Sequence, residues 1–414
     1  MKLIQRFIPT AFLACVIFKN YLYADIIVPG ADGSDGAFRP TAHVQIDLSQ
    51  ASLGNWDAAS TNAGKGIYDS NQWAVIFKYS SVNIPSGVTV TFKNHPSHAP
   101  VVWLVSGAVT NNGRLSVDGA AATGVGPAEG GPGGFRGCLP PVAGVTIGSA
   151  GFGPGGGNYT DGAGSFGSLG GGNAGPIYGN NRLIPLVGGS GGAPRSVNYV
   201  TCHDWTAGGA ILVAAANRIQ LNGQISAYGG EPTDGCFARG AGGSGGGIRL
   251  ISQSIVGTGI VRALGGAQTG GDNRLTGGNG RIRLEANLIS LADLGFPSYV
   301  PNLPGSTALL WPPSNSPVVR ITRIHDQDAP LDPHSSFAFP QDVLISQTNA
   351  VLITLASLNV PTNWNVQVRI VQPDATQLRV TANFVSGDGT NSVWQTSAVL
   401  PQNVSVIQAF ATSP

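Results

Sequence analysis

Short apolar runs alternating with small turns recur along the first two-thirds of the chain. Ala210 to Gly230 reads AILVAAANRIQLNGQISAYGG, Ile248 to Gly266 reads IRLISQSIVGTGIVRALGG, and Ile282 opens IRLEANLISL. The leading residues Ile211, Ile248 and Ile282 are separated by 37 and 34 positions. Upstream, AVIFKYSSVNIPSGVTVTFK (Ala74 to Lys93) and VWLVSGAVTNNGRLSVDG (Val102 to Gly119) have the same layout. Each unit predicts a strand, a small turn, a second strand, a tight turn and a third strand. The tight turns are Asn112-Gly113, Asn222-Gly223 and Thr258-Gly259, residue types that tolerate turn geometry at low cost.

Two architectures use that pattern. Asn-Gly pairs join antiparallel strands in hairpins, and they also form the corners of a solenoid. The triplets recur as units, each ends in a Gly pair, and insertions fall at one recurring place, which favours stacked repeats. Alternation at Ile219 and Leu221, Ile225 and Ala227, Ile248 and Leu250 turns one face inward. The expected fold is all-β: a right-handed parallel β-helix over 25–295, handed by the usual crossover rule. An antiparallel sandwich or prism is the rival.

Between 119 and 209 about a third of the residues are Gly, interrupted by Phe135, Phe152, Tyr159, Phe166, Tyr178 and Trp205. A flexible excursion is one reading. Closely stacked extended Gly segments forming a compact lobe are the other, favoured by the aromatics and the absence of charge runs. The Pro-rich passage 296–317 predicts a stiff extended linker. Beyond it, 318–414 carries short alternating strands (VVRITRI, VLITLASL, VQVRIVQP, VWQTSAVLP) and predicts an immunoglobulin-like β-sandwich with Trp394 in its core.

Composition changes the picture in two ways. The chain is 42% apolar with a formal charge of +1, so it can bury a core despite 61 Gly in 414 residues. A near-neutral chain with scattered Arg lacks the basic face that nucleic acid requires. At the start, Lys2 and Arg6, the apolar run Phe7 to Phe18 and Ala24 before Asp25 predict a signal peptide over 1–24 and hence a secreted or cell-surface protein. Lipoprotein processing at Cys15 is the alternative, and no apolar stretch is long enough for a transmembrane segment. Cys138, Cys202 and Cys236 remain in the exported chain; a disulfide between two of them is expected, with the pairing open.

The stretches DGSDGAF (Asp32 to Phe38), WAVIFKYSSVNIPSGVTVTFKNHP (Trp73 to Pro96), GGFRG (Gly133 to Gly137), LIPLVGGSGGAP (Leu183 to Pro194) and GGSGGGIRL (Gly242 to Leu250) resemble a group of secreted glycine-rich bacterial β-solenoid proteins. The resemblance implies bacterial export and carries no activity. Cys138 and Cys202-His203-Asp204-Trp205 stand where that group has Gly-rich sequence.

Candidate chemistry is sparse. Asp32-Gly33-Ser34-Asp35-Gly36 reads either as a calcium loop with Asp32 and Asp35 as ligands or as a plain turn. GGNGRIRLE fails the Gly-rich calcium repeat because Ile282 occupies the ligand position. No other cofactor is expected; the Gly-rich G-x-G matches open no helix, so nucleotide binding is excluded. The carboxylates Asp118, Asp204, Glu231, Asp234, Asp272 and Glu285 mostly stand singly, and His95 and His98 flank a turn. Tyr159, Tyr178 and Trp205 are the candidates for stacking on sugar rings. The expectation is a structural or adhesive extracellular solenoid that binds polysaccharide or cell-surface glycan; a β-helix polysaccharide lyase or glycoside hydrolase is the alternative.

Overall fold

The computed structural model describes residues 25–120, 129–138, 149–158, 161–193, 205–230, 241–267, 275–293, 295–331, 333, 341–372, 377–400 and 405–414. Among them the chain is all-β, with no α-helix and a 3-10 turn at Leu48–Gln50.

The repeated strands lie side by side. Ile211 pairs with Ile248 and Ile248 with Ile282, so the three residues that open the repeats form one column. That column continues through Val101 to Val75. The first sheet is built from Ala74–Ile84, Val101–Val105, Ala210–Leu221, Gly247–Gly257, Arg281–Glu285 and Val300–Asn302, all parallel. It is mixed at its start, where Ile67–Asp69 runs antiparallel to Ala74–Ile84. A second sheet, wholly parallel, takes Val44–Asp47, Thr89–Lys93, Arg114–Ser116, Gln224–Ser226 and Ile260–Arg262.

Between the sheets lies the main core: Val75, Phe77, Trp103, Ile211, Val213, Leu250, Ile282 and Leu284 from the first sheet meet Val90, Leu115, Ile225 and Val261 from the second. The first sheet is also covered on its other face. Ile76, Val102, Leu104, Leu212 and Ile251 pack there against Ile26, Val28, Phe166, Leu183, Ala308 and Leu310. Burial on both faces explains why VVWLV and AILVAA are apolar at every position rather than alternating.

The Pro-rich passage supplies part of that cover, so it does not span free space as a linker. Val300–Asn302 pairs with Arg281–Glu285, placing Pro301 in an edge strand, where a missing N–H is tolerated. Further on, Ala308 donates its N–H to the Ile27 carbonyl at 2.8 Å, and Trp311 meets Trp56 edge-on at 5.6 Å. Arg249 fastens the same segment: its guanidinium donates to the Leu309 carbonyl at 2.6 Å and to Glu285 at 2.8 Å.

The described glycine-rich segments are compact and buried, yet most belong to no strand. Their hydrogen bonding has a period of three. Along 241–246, Ala241 and Ser244 donate to Ala193 and Ser190, Gly242 and Gly245 donate to Leu275 and Gly278, and Gly246 donates to Ala227. Ala207 and Ala210 donate to Phe135 and Pro132, while Gly208 turns to Ser244. A flat strand sends its N–H groups alternately to two sides. A polyproline-II-type helix, with three residues per turn, sends them to three. The lobe is therefore a bundle of extended glycine segments, each hydrogen-bonded to several neighbours, which satisfies buried backbone without a sheet. Glycine is required by the spacing: a methyl group on Gly192 would collide with the Ala241 carbonyl, and one on Gly246 with that of Gly209.

The described residues of 318–414 form two antiparallel sheets, one around Val318–Ile324, Ala350–Leu358 and Asn391–Val399, the other of Gln377–Thr381, Asn365–Val371 and Val406–Thr412. Their shared core holds Val351, Ile353, Val368, Ile370 and Trp394. Arg369 reaches out of it to the Pro154 carbonyl of the glycine bundle at 3.1 Å.

Candidate binding trough

Where the first sheet hands over to the second, each repeat makes a tight turn containing a polar residue followed by Gly: Ser86-Gly87, Asn112-Gly113, Asn222-Gly223 and Thr258-Gly259. The strands after these turns are neighbours, so the turns stack. Backbone bonds tie each to the one before: Arg114 N–H to Val88 O at 2.8 Å, Gln224 N–H to Gly113 O at 2.8 Å, and Ile260 N–H to Gly223 O at 2.9 Å. The stacking is so close that a Cβ on Gly113 would meet the Val88 carbonyl, one on Gly223 the Gly113 carbonyl, and one on Gly259 the Gly223 carbonyl.

Four stacked glycines leave a floor without side chains. The result is an open trough of about 400 Å³. Asn112, Asn222 and Thr258 stand along one wall; Thr89, Arg114, Gln224 and Ile260, paired in that order, form the other. The amide groups are set by their neighbours. Asn222 Nδ2 donates to Asn112 Oδ1 at 2.9 Å, and Gln220 Nε2 donates to Asn222 Oδ1 at 2.9 Å. Beneath them, buried Asn111 donates to the Gln224 carbonyl at 3.0 Å and accepts from Gly113 N–H at 3.1 Å, holding the turn from inside.

Next to the Arg114 wall, Asp118 is a node. Its carboxylate accepts from Arg114 at 2.6 Å, Ser116 at 2.6 Å, Ser226 at 3.0 Å and the Tyr228 N–H at 2.6 Å. Tyr228, half-buried on the next repeat, accepts at its hydroxyl from Gln224 at 3.1 Å. Burial, then the Asp118 charge, pushes that hydroxyl above the ordinary tyrosine range. Further along, Arg262 grips Asp293 with two bonds of 3.0 and 2.7 Å. With the Gly295 N–H, it holds the Asp293 carboxyl down at about 2.

The residues proposed from sequence lie elsewhere. Tyr178 is half-buried, its ring 4.8 Å from that of Phe166 and its hydroxyl donated to the Gly188 carbonyl at 2.6 Å. Trp205 is 1% exposed inside the bundle. Trp205 therefore offers no open face to a sugar, while Tyr178 packs one side of its ring against Phe166. Tyr159 lies outside the described residues, as do Cys202, Cys236, Asp204, Glu231, Asp234, Asp272 and residues 1–24; Cys138 is buried. Of the remaining candidate carboxylates, Asp118 is held by Arg114 and Glu285 by Arg249 and Arg283.

The acidic N-terminal loop carries its own cation. Lys78, fully buried, brings its ammonium within 3.5 Å of Asp32. Asp35 accepts from the Gly64 and Lys78 N–H groups at 2.8 and 2.6 Å. Both carboxylates are thus engaged by protein donors. His95 accepts from the Ser97 N–H at 3.1 Å and stacks on Tyr68 at 4.2 Å, a turn-capping role.

The sequence shows the tight turns but not the trough, which needs turns from separate repeats to stack. The recurrence of a polar residue and Gly at the same point of each repeat was the available signal. No protein-family model matches the chain, and neither the curated proteins nor the solved structures yielded a match.

Proposed function

We propose that the chain is an exported, non-catalytic structural or adhesive protein: a right-handed parallel β-helix whose surface binds polysaccharide, followed by an immunoglobulin-like sandwich. The solenoid reading rests on the in-register parallel columns running from Val75 to Ile282 and from Val44–Asp47 to Ile260–Arg262. The binding reading rests on one observation, the glycine-floored trough lined by amide and hydroxyl side chains. Planar amides and backbone groups on a rigid scaffold suit hydroxyl-rich ligands, which need many weak, directional partners. Asp118 and Glu285, each committed to arginine, support a scaffold role for the strands rather than acid–base chemistry.

A glycan array probed with residues 25–414 tests this reading. It predicts binding to one or more polysaccharides that weakens when Asn112 and Asn222 are both changed to Ala. A folded protein that binds no glycan on the array would leave a purely structural role.

A further inference from the structure

The charge pattern around the trough narrows the ligand class. Three cations are carried on or beside the second sheet, and each has its own carboxylate. Lys93 meets Asp47 at 3.0 Å, Arg114 meets Asp118 at 2.6 Å, and Arg262 meets Asp293 at 2.7 Å. Binding carboxylated or sulfated sugars calls for arginine or lysine with free donors facing the ligand. Here Arg262 spends both terminal nitrogens on Asp293, and Arg114 gives one terminal nitrogen to Asp118, a carboxylate that three further donors fix in place. The trough lining holds one charged side chain, Arg114, whose charge Asp118 offsets; its other polar side chains, Thr89, Asn112, Asn222, Gln224 and Thr258, are neutral.

Its direction is set as well. Successive turns are one strand spacing apart, about 4.8 Å, close to the length of one sugar residue in an extended chain. A chain laid along the stack therefore meets an equivalent polar turn at each residue, and four turns span about 14 Å. A chain laid across the stack meets only one or two.

We infer that the trough takes a neutral, unsubstituted polysaccharide, extended along the stacking direction of the repeats. This rests on the proposal that the protein binds polysaccharide. The test measures binding of residues 25–414 to neutral glucan, mannan and galactan, and to polygalacturonate and a sulfated glycan, in low and high salt. The expected result is binding to at least one neutral polymer, unaffected by salt, with acidic polymers weaker by about tenfold or more. The Asn112→Ala/Asn222→Ala double variant should lose about tenfold in affinity while its circular dichroism and melting temperature stay near the parent's.

Preferential binding of acidic polymers by the parent would overturn the inference and leave polysaccharide binding standing. Neutral binding that survives the double variant would place the ligand outside the trough and overturn it too. Binding to no polymer would remove both readings together.

Discussion

Asn222 donates its side-chain amide to the side-chain oxygen of Asn112 at 2.9 Å, across 110 residues of sequence. Both side chains stand at the solvent edge of stacked turns, so their bond contributes little to folding and much to where the amides point. Asn222→Ala should cost about 0.5–1.5 kcal/mol or less in urea denaturation. A loss of several kcal/mol would mean that the amide ladder holds the repeats together.

Within the bundle, Gly246 faces the Gly209 carbonyl with no room for a methyl group. Gly246→Ala forces buried, hydrogen-bonded backbone apart and should cost about 3 kcal/mol or more. Gly389 is the control, because a methyl group there would meet nothing nearer than Pro361 at 3.9 Å. At that position Ala should be neutral or slightly stabilising. Equal melting temperatures for the two variants would contradict the close-packed bundle.

Arg249 and Glu285 are both buried, and the arginine also holds the Leu309 and Leu310 carbonyls. Glu285→Ala strands a buried guanidinium and should destabilise by about 3–5 kcal/mol. The paired replacement Arg249→Met with Glu285→Leu should recover much of that loss but leave residues 303–311 more open to limited proteolysis. Equal effects of the single and paired changes would show that the ion pair does not fasten this segment.

The Asp293 carboxyl titrates at about 2, below its ordinary value of 3.8, because Arg262 and the Gly295 N–H stabilise the charged form. A folded-state pKa below the unfolded one gives stability that is present above pH 3.8 and lost as pH falls toward 2. Asp293→Asn should therefore melt below the parent at pH 6, with the gap closing between pH 4 and pH 2. A gap that is constant over that range would mean the carboxylate charge is not involved.

With Lys78 as the internal cation of the Asp32–Asp35 loop, millimolar calcium and chelator should give the same melting temperature. A rise with calcium, abolished by Asp32→Asn, would show that these aspartates bind the metal.

How far the sequence could be read depends on what each feature needs. The column of Ile211, Ile248 and Ile282 was legible because equivalent residues recur at near-equal spacing, and in-register pairing makes them neighbours. Trp394 was legible as core because alternation assigns a strand face; its Nε1 donates to Ser357 and Ser392 inside the tail. Tyr178 and Trp205 were not, since an aromatic in a glycine-rich segment carries no periodicity to separate an inner from an outer face. The docking of 306–311 depends on partners far away, Ile27 and Trp56, that no local pattern names. The threefold direction of the glycine N–H groups leaves no trace in side-chain pattern, because those residues have none.

Hydrogen–deuterium exchange of residues 25–414, with and without a saturating mixture of neutral glucan, mannan and galactan hexasaccharides, tests the ligand site most directly. The trough predicts new protection in peptides covering 86–89, 111–114, 222–225 and 258–260, and little change around Tyr178. Protection confined to the glycine bundle, or no protection at any of the four turns, would contradict it.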